Sequence, residues 1–523
     1  MKICFLAVNA KYIHTAPAVR ILNKIVKEKY ESDFFEFTIK DNIDNIINVI
    51  KDYDIIGLSC YIWNIDIMVK LSEEIKSRYK EKIIFSGGPE VSYDTINFVN
   101  KFDYVMSGEG EEIIIPFIDY LHGKCDIPEG VASINKPNVI PQYVKDLSNI
   151  PDILDTYTED DKKNRIVYVE TTRGCPFKCS YCLSSVEKGV RFFSDDYIKH
   201  LFDYIINNDF KCIKFLDRTF NVNPSRFLRI CKILESTKNT YQFEIAAELF
   251  NEEVVDYFKN KVTPNKFRLE IGLQSLMKEA LCAVDRNSDV SKILNVINQI
   301  NEGNRVVIHV DLIAGLPFET LNVFKETFNY TFKLLCDELQ LGFLKLLRGT
   351  KIRNEAQIYD YKFTSDAPYE VLSNKFISND ELNIIHKCED ALEWMWNHKR
   401  CHSLLNHLVK DDVIENYFDF FVCAYDYYDK SKQLYENYSG ICDFLRDIGL
   451  YKKEYIDDLK IDYLSTVLVK PKPFWELENS LDYYRKLLGY DTEDTNNYFI
   501  TPYYDKYIVI KYEKNKKPQL IIQ

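Results

Sequence analysis

The stretch Thr171-Thr172-Arg173-Gly174-Cys175-Pro176-Phe177-Lys178-Cys179-Ser180-Tyr181-Cys182 sets how the rest of the chain is read. It follows the strand-like run Arg165 to Glu170, and Gly174 and Pro176 break that strand into a loop. Three cysteines spaced C-x3-C-x2-C lie within eight residues. Thiolates hold [4Fe-4S] clusters, and three of them leave one iron open to a small molecule. Zinc is the other ion that close cysteines bind, but a structural zinc site is four-coordinate. The next donors, His200 and Cys212, fall in or after a helical stretch, and no second C-x2-C pair exists in the chain.

Working outward, strands and helices alternate on both sides. Downstream come helix Asp195 to Asn207, strand Cys212 to Leu216, helix Pro224 to Thr237, strand Tyr241 to Ala246, helix Glu252 to Asn260 and strand Lys266 to Ile271. Strands Arg305 to Leu312 and Glu338 to Leu344 follow. With the strand before the cysteines this predicts six strands with helical crossovers, whose carboxyl ends face a common mouth. Upstream, strands Lys2 to Val8, Tyr53 to Ser59, Lys82 to Ser86 and Tyr104 to Met106 alternate with helices Ala18 to Val26 and Ile67 to Tyr79 and one from near Glu112. That pattern predicts a parallel, doubly wound sheet, with ligands outside the carboxyl ends of its strands.

Cys175, Cys179 and Cys182, with aromatic Tyr181 among them, resemble the signature of the radical S-adenosylmethionine (SAM) enzymes. The resemblance implies a partial (β/α)6 barrel and a [4Fe-4S] cluster whose open iron chelates SAM, cleaved to a 5′-deoxyadenosyl radical. Tyr181 matches the aromatic position beside adenine. Asp217, as acceptor for the SAM ammonium, and Arg218 stand in the slot of the family's amino-group motif. Glu248, Glu270, Gln274 and Arg286 match contacts to ribose and carboxylate, and Gly315 and Pro317 the loop over adenine, with Phe318 replacing a common glycine.

The first 120 residues or so resemble the Rossmann-like cobalamin-binding domain carried by one subgroup of this superfamily. Asn9 and the loop after it, Ser59, Gly87, Gly88, Gly108, Glu109 and Gly110 match positions around cobalamin, the glycines allowing close approach of the backbone. Read without the resemblance, the same glycines are ordinary tight turns. His14 stands where base-off cobalamin proteins carry a cobalt ligand, but Tyr12 and Pro17 replace the usual aspartate and glycine. Its readings are an axial ligand or a loop-packing residue.

The chain is thus expected to be an α/β protein: a cobalamin-binding domain over 1–134, a linker over 135–163, a radical SAM partial barrel over 164–350 and a mostly helical domain of unknown role over 351–523. The resemblance implies methylation of an unactivated carbon, with cyclisation or rearrangement, or a non-catalytic sensor, as alternatives. It also implies an electron donor such as flavodoxin or ferredoxin. The substrate, whether small molecule, peptide or RNA, is not legible, though a net charge of −13 speaks against a chain-wide nucleic-acid footprint. Without an export signal or a membrane-length apolar run, a cytoplasmic protein is expected, and the eleven scattered cysteines are read as buried thiols. Lys345 and Arg348 read as solvated, and His398, Cys401 and His402 as structural, because two histidines on one helix face make no zinc site.

Overall fold

The computed structural model describes residues 1–187, 189–477, 479–490, 497–512 and 518–523. It divides into two units, residues 1–319 with 343–376, and residues 320–342 with 377–523.

The first unit opens with a six-stranded sheet of β1 (Ile3–Asn9), β2 (Ser32–Thr38), β3 (Ile55–Ser59), β4 (Ile83–Gly87), β5 (Tyr104–Met106) and β6 (Val131–Ser133), in the order β2-β1-β3-β4-β5-β6. All pairings are parallel except the last. Two of these strands fall outside the expected pattern. β2 is an edge strand of mixed polarity, Ser-Asp-Phe-Phe-Glu-Phe-Thr, and β6 is a three-residue antiparallel edge. Every residue of β1 and β3 is buried, because helices cover both faces. Leu6, Val8, Ile56 and Leu58 pack to one side and Phe5, Ala7, Ile55 and Phe85 to the other. Each of the larger of these side chains stabilises the fold by about 1.5–3 kcal/mol.

The stretch expected as a linker is ordered. It holds a short helix, Glu159–Asn164, which has no apolar periodicity but carries a Thr158–Asp161 capping box. Asp161 is buried and pairs with Arg165 at 2.7 Å and Arg20 at 3.2 Å. The segment is therefore part of the packing between the two sheets.

β7 (Ile166–Val169) follows, then a hairpin of β8 (Thr172–Cys175) and β9 (Gly189–Phe192) around the cysteine loop. β7, β10 (Cys212–Phe215), β11 (Tyr241–Ile245), β12 (Phe267–Gln274) and β13 (Val307–Ala314) lie side by side in that order, all parallel. The sixth strand of the series, β14 (Glu338–Phe343), falls across the division between the units. Outward residues Phe215, Phe243, Phe267, Leu269 and Ile271 are buried. The inward ones are charged or polar: Tyr168, Lys214, Gln242, Glu244, Arg268, Glu270, His309 and Asp311.

The second unit is mostly helical, with helices Leu321–Phe332, Asn379–Leu392, His402–Lys410, Tyr417–Ala424, Leu434–Asp447 and Lys453–Thr466. Its core is aromatic: Phe332 meets Trp396, Tyr417 and Phe421 edge-on or tilted at 5.0–5.4 Å. The helix Asn379–Leu392 passes into a π-helical turn at Glu393–Asn397, which buries Trp394 and Trp396. The tail of this mostly helical unit forms a three-stranded antiparallel sheet of Tyr498–Tyr503, Lys506–Lys511 and Gln519–Ile522. Cys401 is fully buried and His402 stacks on Trp396 at 4.6 Å, where burial lowers its pKa to about 4.

Candidate active site

Cys175, Cys179 and Cys182 sit on one loop at the carboxyl end of β7. The loop is pinned from several sides: Ser185 Oγ donates to the carbonyls of Cys179 (2.8 Å) and Cys182 (2.7 Å), and Ser180 N to Val284 O (2.9 Å). Burial pushes the Cys179 thiol up against the pull of Arg286, whose Nη1 lies 3.7 Å from Sγ. Cys175 Sγ lies 3.4 Å from Thr219 Oγ1. Among the described residues, no three His, Cys, Asp or Glu side chains are grouped to hold a single metal ion. A cubane places each thiolate on a different iron, a wider triangle than the ~2.3 Å bonds of one zinc ion demand.

Around Arg286, which touches Cys179, several buried polar atoms have no hydrogen-bond partner among the described residues: both carboxylate oxygens of Glu248, Gln274 Oε1 and Arg286 Nε. Buried polar groups are otherwise almost always paired, so these atoms fit a polar ligand that accepts and donates here. Gln274 adopts φ +68° at a β-bulge, which turns its side chain out of the strand register. Burial works against the charge of Arg286, but Tyr181 and Cys179 beside it keep it protonated. Burial also pushes the Tyr181 hydroxyl up. The Gly315 carbonyl accepts from Tyr361 Oη (3.0 Å) and Asn374 Nδ2 (2.9 Å), and Pro317 is followed by Phe318 at φ +67°, a conformation that glycine adopts more easily.

Two expected contacts are redirected, those of Asp217 and Glu270. Asp217 is fully buried and accepts from Thr171 N (2.9 Å), Thr171 Oγ1 (2.5 Å) and Thr172 Oγ1 (2.7 Å), so its carboxylate anchors the loop and is not open to an ammonium. Burial still pushes it up to about 6. Glu270 is occupied by Lys214 at 2.7 Å and by Gln242, inside the charged face. Arg218, half exposed, has a single ion-pair neighbour among the described residues, Glu244 at 3.6 Å, and Cys182 and Tyr61 lie close enough to favour its charged form. Among the described residues Glu248 has no hydrogen-bond partner for either carboxylate oxygen, though its charge acts on Arg286.

At the carboxyl ends of the first sheet, Asn9 Nδ2 donates to His14 O (3.0 Å) and Glu36 (3.2 Å). His14 Nδ1 lies 2.7 Å from Tyr168 Oη, and its backbone bridges Ile166. Burial lowers its pKa, so it packs against β7 as a neutral ring. Glu109 takes Arg191 in bidentate fashion (2.8 and 2.9 Å) and Val144 N (2.7 Å), tying this loop to the cysteine hairpin. Arg173 adds pairs to Glu111 and Glu170, both at 2.7 Å. Glycine at 88 and 108 answers to the chain itself: a Cβ would collide with Cys60 O at the first and with Gln142 O at the second. The space beside Gly110 is filled by Met106 and Leu22, whereas a Cβ on Gly87 would meet only Met106, at 3.8 Å. Ser59 serves the Tyr61 hydroxyl.

Two aromatic residues that the sequence pattern does not single out, Tyr61 and Trp63, stack at 4.3 Å and 9° just after β3, with Trp63 46% exposed. A flat apolar platform open at the ligand end of such a sheet suits a planar ligand. The signal available in the sequence is an aromatic pair two residues apart directly after a strand. Thr171, Thr172 and Thr219 have no such signal, because a threonine near a strand end is unremarkable on its own.

A B12-binding domain matches residues 3–115, the radical SAM superfamily residues 169–331, and a family of unknown function, DUF4080, residues 357–514. The chain thus carries a radical SAM domain over residues 169–331 behind a B12-binding domain over residues 3–115. Its cofactors are accordingly a [4Fe-4S] cluster, SAM and cobalamin. It is 25% identical over 313 residues to the cobalamin-dependent radical SAM methyltransferase TokK of Streptomyces tokunonensis, covering 54% of this chain and 45% of that one. An uncharacterised methyltransferase, PH0819 of Pyrococcus horikoshii, is 23% identical over 357 residues, 63% of this chain and 76% of its own. The chain spans less than half the length of the first curated relatives it matches. Among solved structures, the cobalamin-dependent SAM radical enzyme OxsB aligns at TM-score 0.61 and 15% identity over 88% of this chain and 78% of that one. The radical SAM methyltransferase TsrM of Kitasatospora setae aligns at 0.53 and 14% over 68% and 76%. At that identity the likeness is one of fold. No helix among the described residues is long and apolar enough to cross a membrane.

Proposed function

We propose that this chain is a cobalamin-dependent radical SAM methyltransferase acting on an unactivated carbon. The observation that carries the reading is the set of buried groups of Glu248, Gln274 and Arg286 left without hydrogen bonds beside the three-cysteine loop, in a chain that also carries a B12-binding domain. In this reading Cys175, Cys179 and Cys182 hold the cluster. Glu248, Gln274 and Arg286 take the hydroxyls and carboxylate of SAM, Tyr181, Gly315 and Pro317 border adenine, and Arg218 faces an anionic group at the mouth. Ser59, Gly87, Tyr61 and Trp63 border cobalamin. The cofactors supply radical formation and methyl transfer; the chain binds them, orients them and excludes water. The names of TokK and TsrM, both methyltransferases, support transfer over rearrangement. A flavodoxin or ferredoxin is the proposed electron donor, in the cytoplasm.

The test is anaerobic incubation of the reconstituted, cobalamin-loaded protein with methyl-labelled SAM, a reductant and fractionated cell extract. Label entering one fraction together with 5′-deoxyadenosine is the expected result. Extract-stimulated deoxyadenosine without transferred label would replace methylation by cyclisation or rearrangement.

A further inference from the structure

The segment Leu344 to Phe376 lies between the stretches matched by the radical SAM and DUF4080 families and runs into the latter. Within the first unit it reaches three loops that the proposed function places around three different cofactors. Towards the cobalamin domain, Arg348 Nε pairs with Glu90 Oε1 at 3.0 Å and its Nη1 with Asp94. Tyr369 Oη donates to the same Glu90 oxygen and accepts from Arg348 Nε at 2.9 Å. Glu90 is 5% exposed, and it opens the turn that directly follows Gly87 and Gly88. Gly349 lies so close to Tyr93 that a Cβ would collide with its ring.

Towards the cluster, Ile352 N donates to Ser180 O at 3.0 Å, between Cys179 and Cys182. Towards the adenine loop, Tyr361 and Asn374 both donate to Gly315 O, and Leu344 N donates to Ala314 O at 2.9 Å. The segment is stiff between these ends. Leu346 N bonds Tyr369 O and Val371 N bonds Leu344 O, both at 3.0 Å, and the Arg353 guanidinium lies over Tyr369 at 4.6 Å. Arg348 and Tyr369 thus connect the Gly88–Asp94 turn to the residues that hold Gly315.

We infer that this strap couples cobalamin binding to SAM binding, with Arg348 as the positioning residue that transmits it. Breaking a buried ion pair at one partner leaves the other charge uncompensated, so Arg348 holds the turn in one arrangement. A coupling free energy is reciprocal: whatever factor cobalamin adds to SAM affinity, SAM adds to cobalamin affinity. The inference rests on the cofactor placement proposed above.

The experiment uses the full, cluster-loaded chain. Binding of S-adenosylhomocysteine, which is not cleaved, is titrated with and without hydroxocobalamin, and hydroxocobalamin with and without S-adenosylhomocysteine, for wild type, Arg348→Ala, Arg348→Lys and Tyr369→Phe. In wild type each ligand is expected to tighten the other by about tenfold, within the usual range of such couplings. Arg348→Ala is expected to bring both factors to about one while each ligand alone still binds. Arg348→Lys, which keeps the charge but not the fork, restores part of the coupling. Tyr369→Phe keeps the ion pair and is the variant to read if Arg348→Ala does not fold; it lowers the factor at least about twofold. Equal coupling in wild type and the variants, or none in wild type with both ligands bound, overturns the strap. Failure of wild type to bind either ligand overturns the cofactor placement, and the strap with it.

Discussion

The two parallel sheets of the first unit are built from the same βα units yet patterned oppositely. β1 is buried at all seven positions, whereas β12 alternates buried apolar residues with Arg268, Glu270 and Gly272. A sheet covered by helices on both faces has no room for chemistry except at its loop ends. The second sheet gives up apolar packing on its inner face, where Lys214, Glu244, Glu270, His309 and Asp311 compensate one another. The first sheet thus offers a platform, and the second an interior with unpaired polar groups at its mouth.

The sharpest way to break this separation is Cys179→Ala. Cluster absorbance and SAM cleavage are expected to vanish while hydroxocobalamin still binds, because coupling between the sites tightens cobalamin but does not hold it; loss of cobalamin in the variant would mean that its site is built on the cluster loop itself. Next in size is Asp217→Ala. Three hydrogen bonds to a buried carboxylate disappear, and with charged bonds worth about 1.5–3 kcal/mol each before relaxation, urea unfolding is expected to show at least about 3 kcal/mol of destabilisation. A loss below about 1 kcal/mol would remove Asp217 as the anchor of the cysteine loop.

A smaller effect belongs to Glu319, buried at 1% exposure with Ser275 Oγ at 2.5 Å and its other oxygen unpaired. Burial pushes its carboxyl up to about 8. The folded state therefore binds the proton more tightly than the unfolded state. Stability is greatest below the unfolded value near 4.5 and is lost as pH rises through about 8. Glu319→Gln, which mimics the neutral acid, is expected to reduce the fall in melting temperature between about pH 6 and pH 8.5 by at least about 2 °C. An identical fall would show that Glu319 does not titrate there. The smallest effect is His14→Ala. It removes one hydrogen bond to Tyr168, worth about 1 kcal/mol, and the cob(II)alamin spectrum is expected to stay unchanged; a changed axial signature would return His14 to the cobalt.

The helix at Glu159–Asn164 and the edge strands β2 and β6 escape a reading by periodicity because they are short or half-buried, and a hydrophobic repeat needs several turns of a buried face to be seen. The same limit explains Arg348. Its spacing looks like that of a solvated cation, and only the fold brings Glu90, 258 residues away, against it. Glu109 and Arg191 are 82 residues apart, and Asp217 and Thr171 are 46.

By itself the amino-acid sequence determined the three thiolates, the alternation of strands and helices, and the loop ends at which cofactors are expected. All of these depend on neighbours within a few residues or on a regular repeat. Only the tertiary structure decided which carboxylates are spent on holding the chain together, as Asp217, Glu270 and Glu109 are, and which, like Glu248, have no hydrogen bond among the described residues. The physical reason is that a charge takes its partner from whatever the fold brings within about 4 Å, and distance along the chain carries no record of that choice.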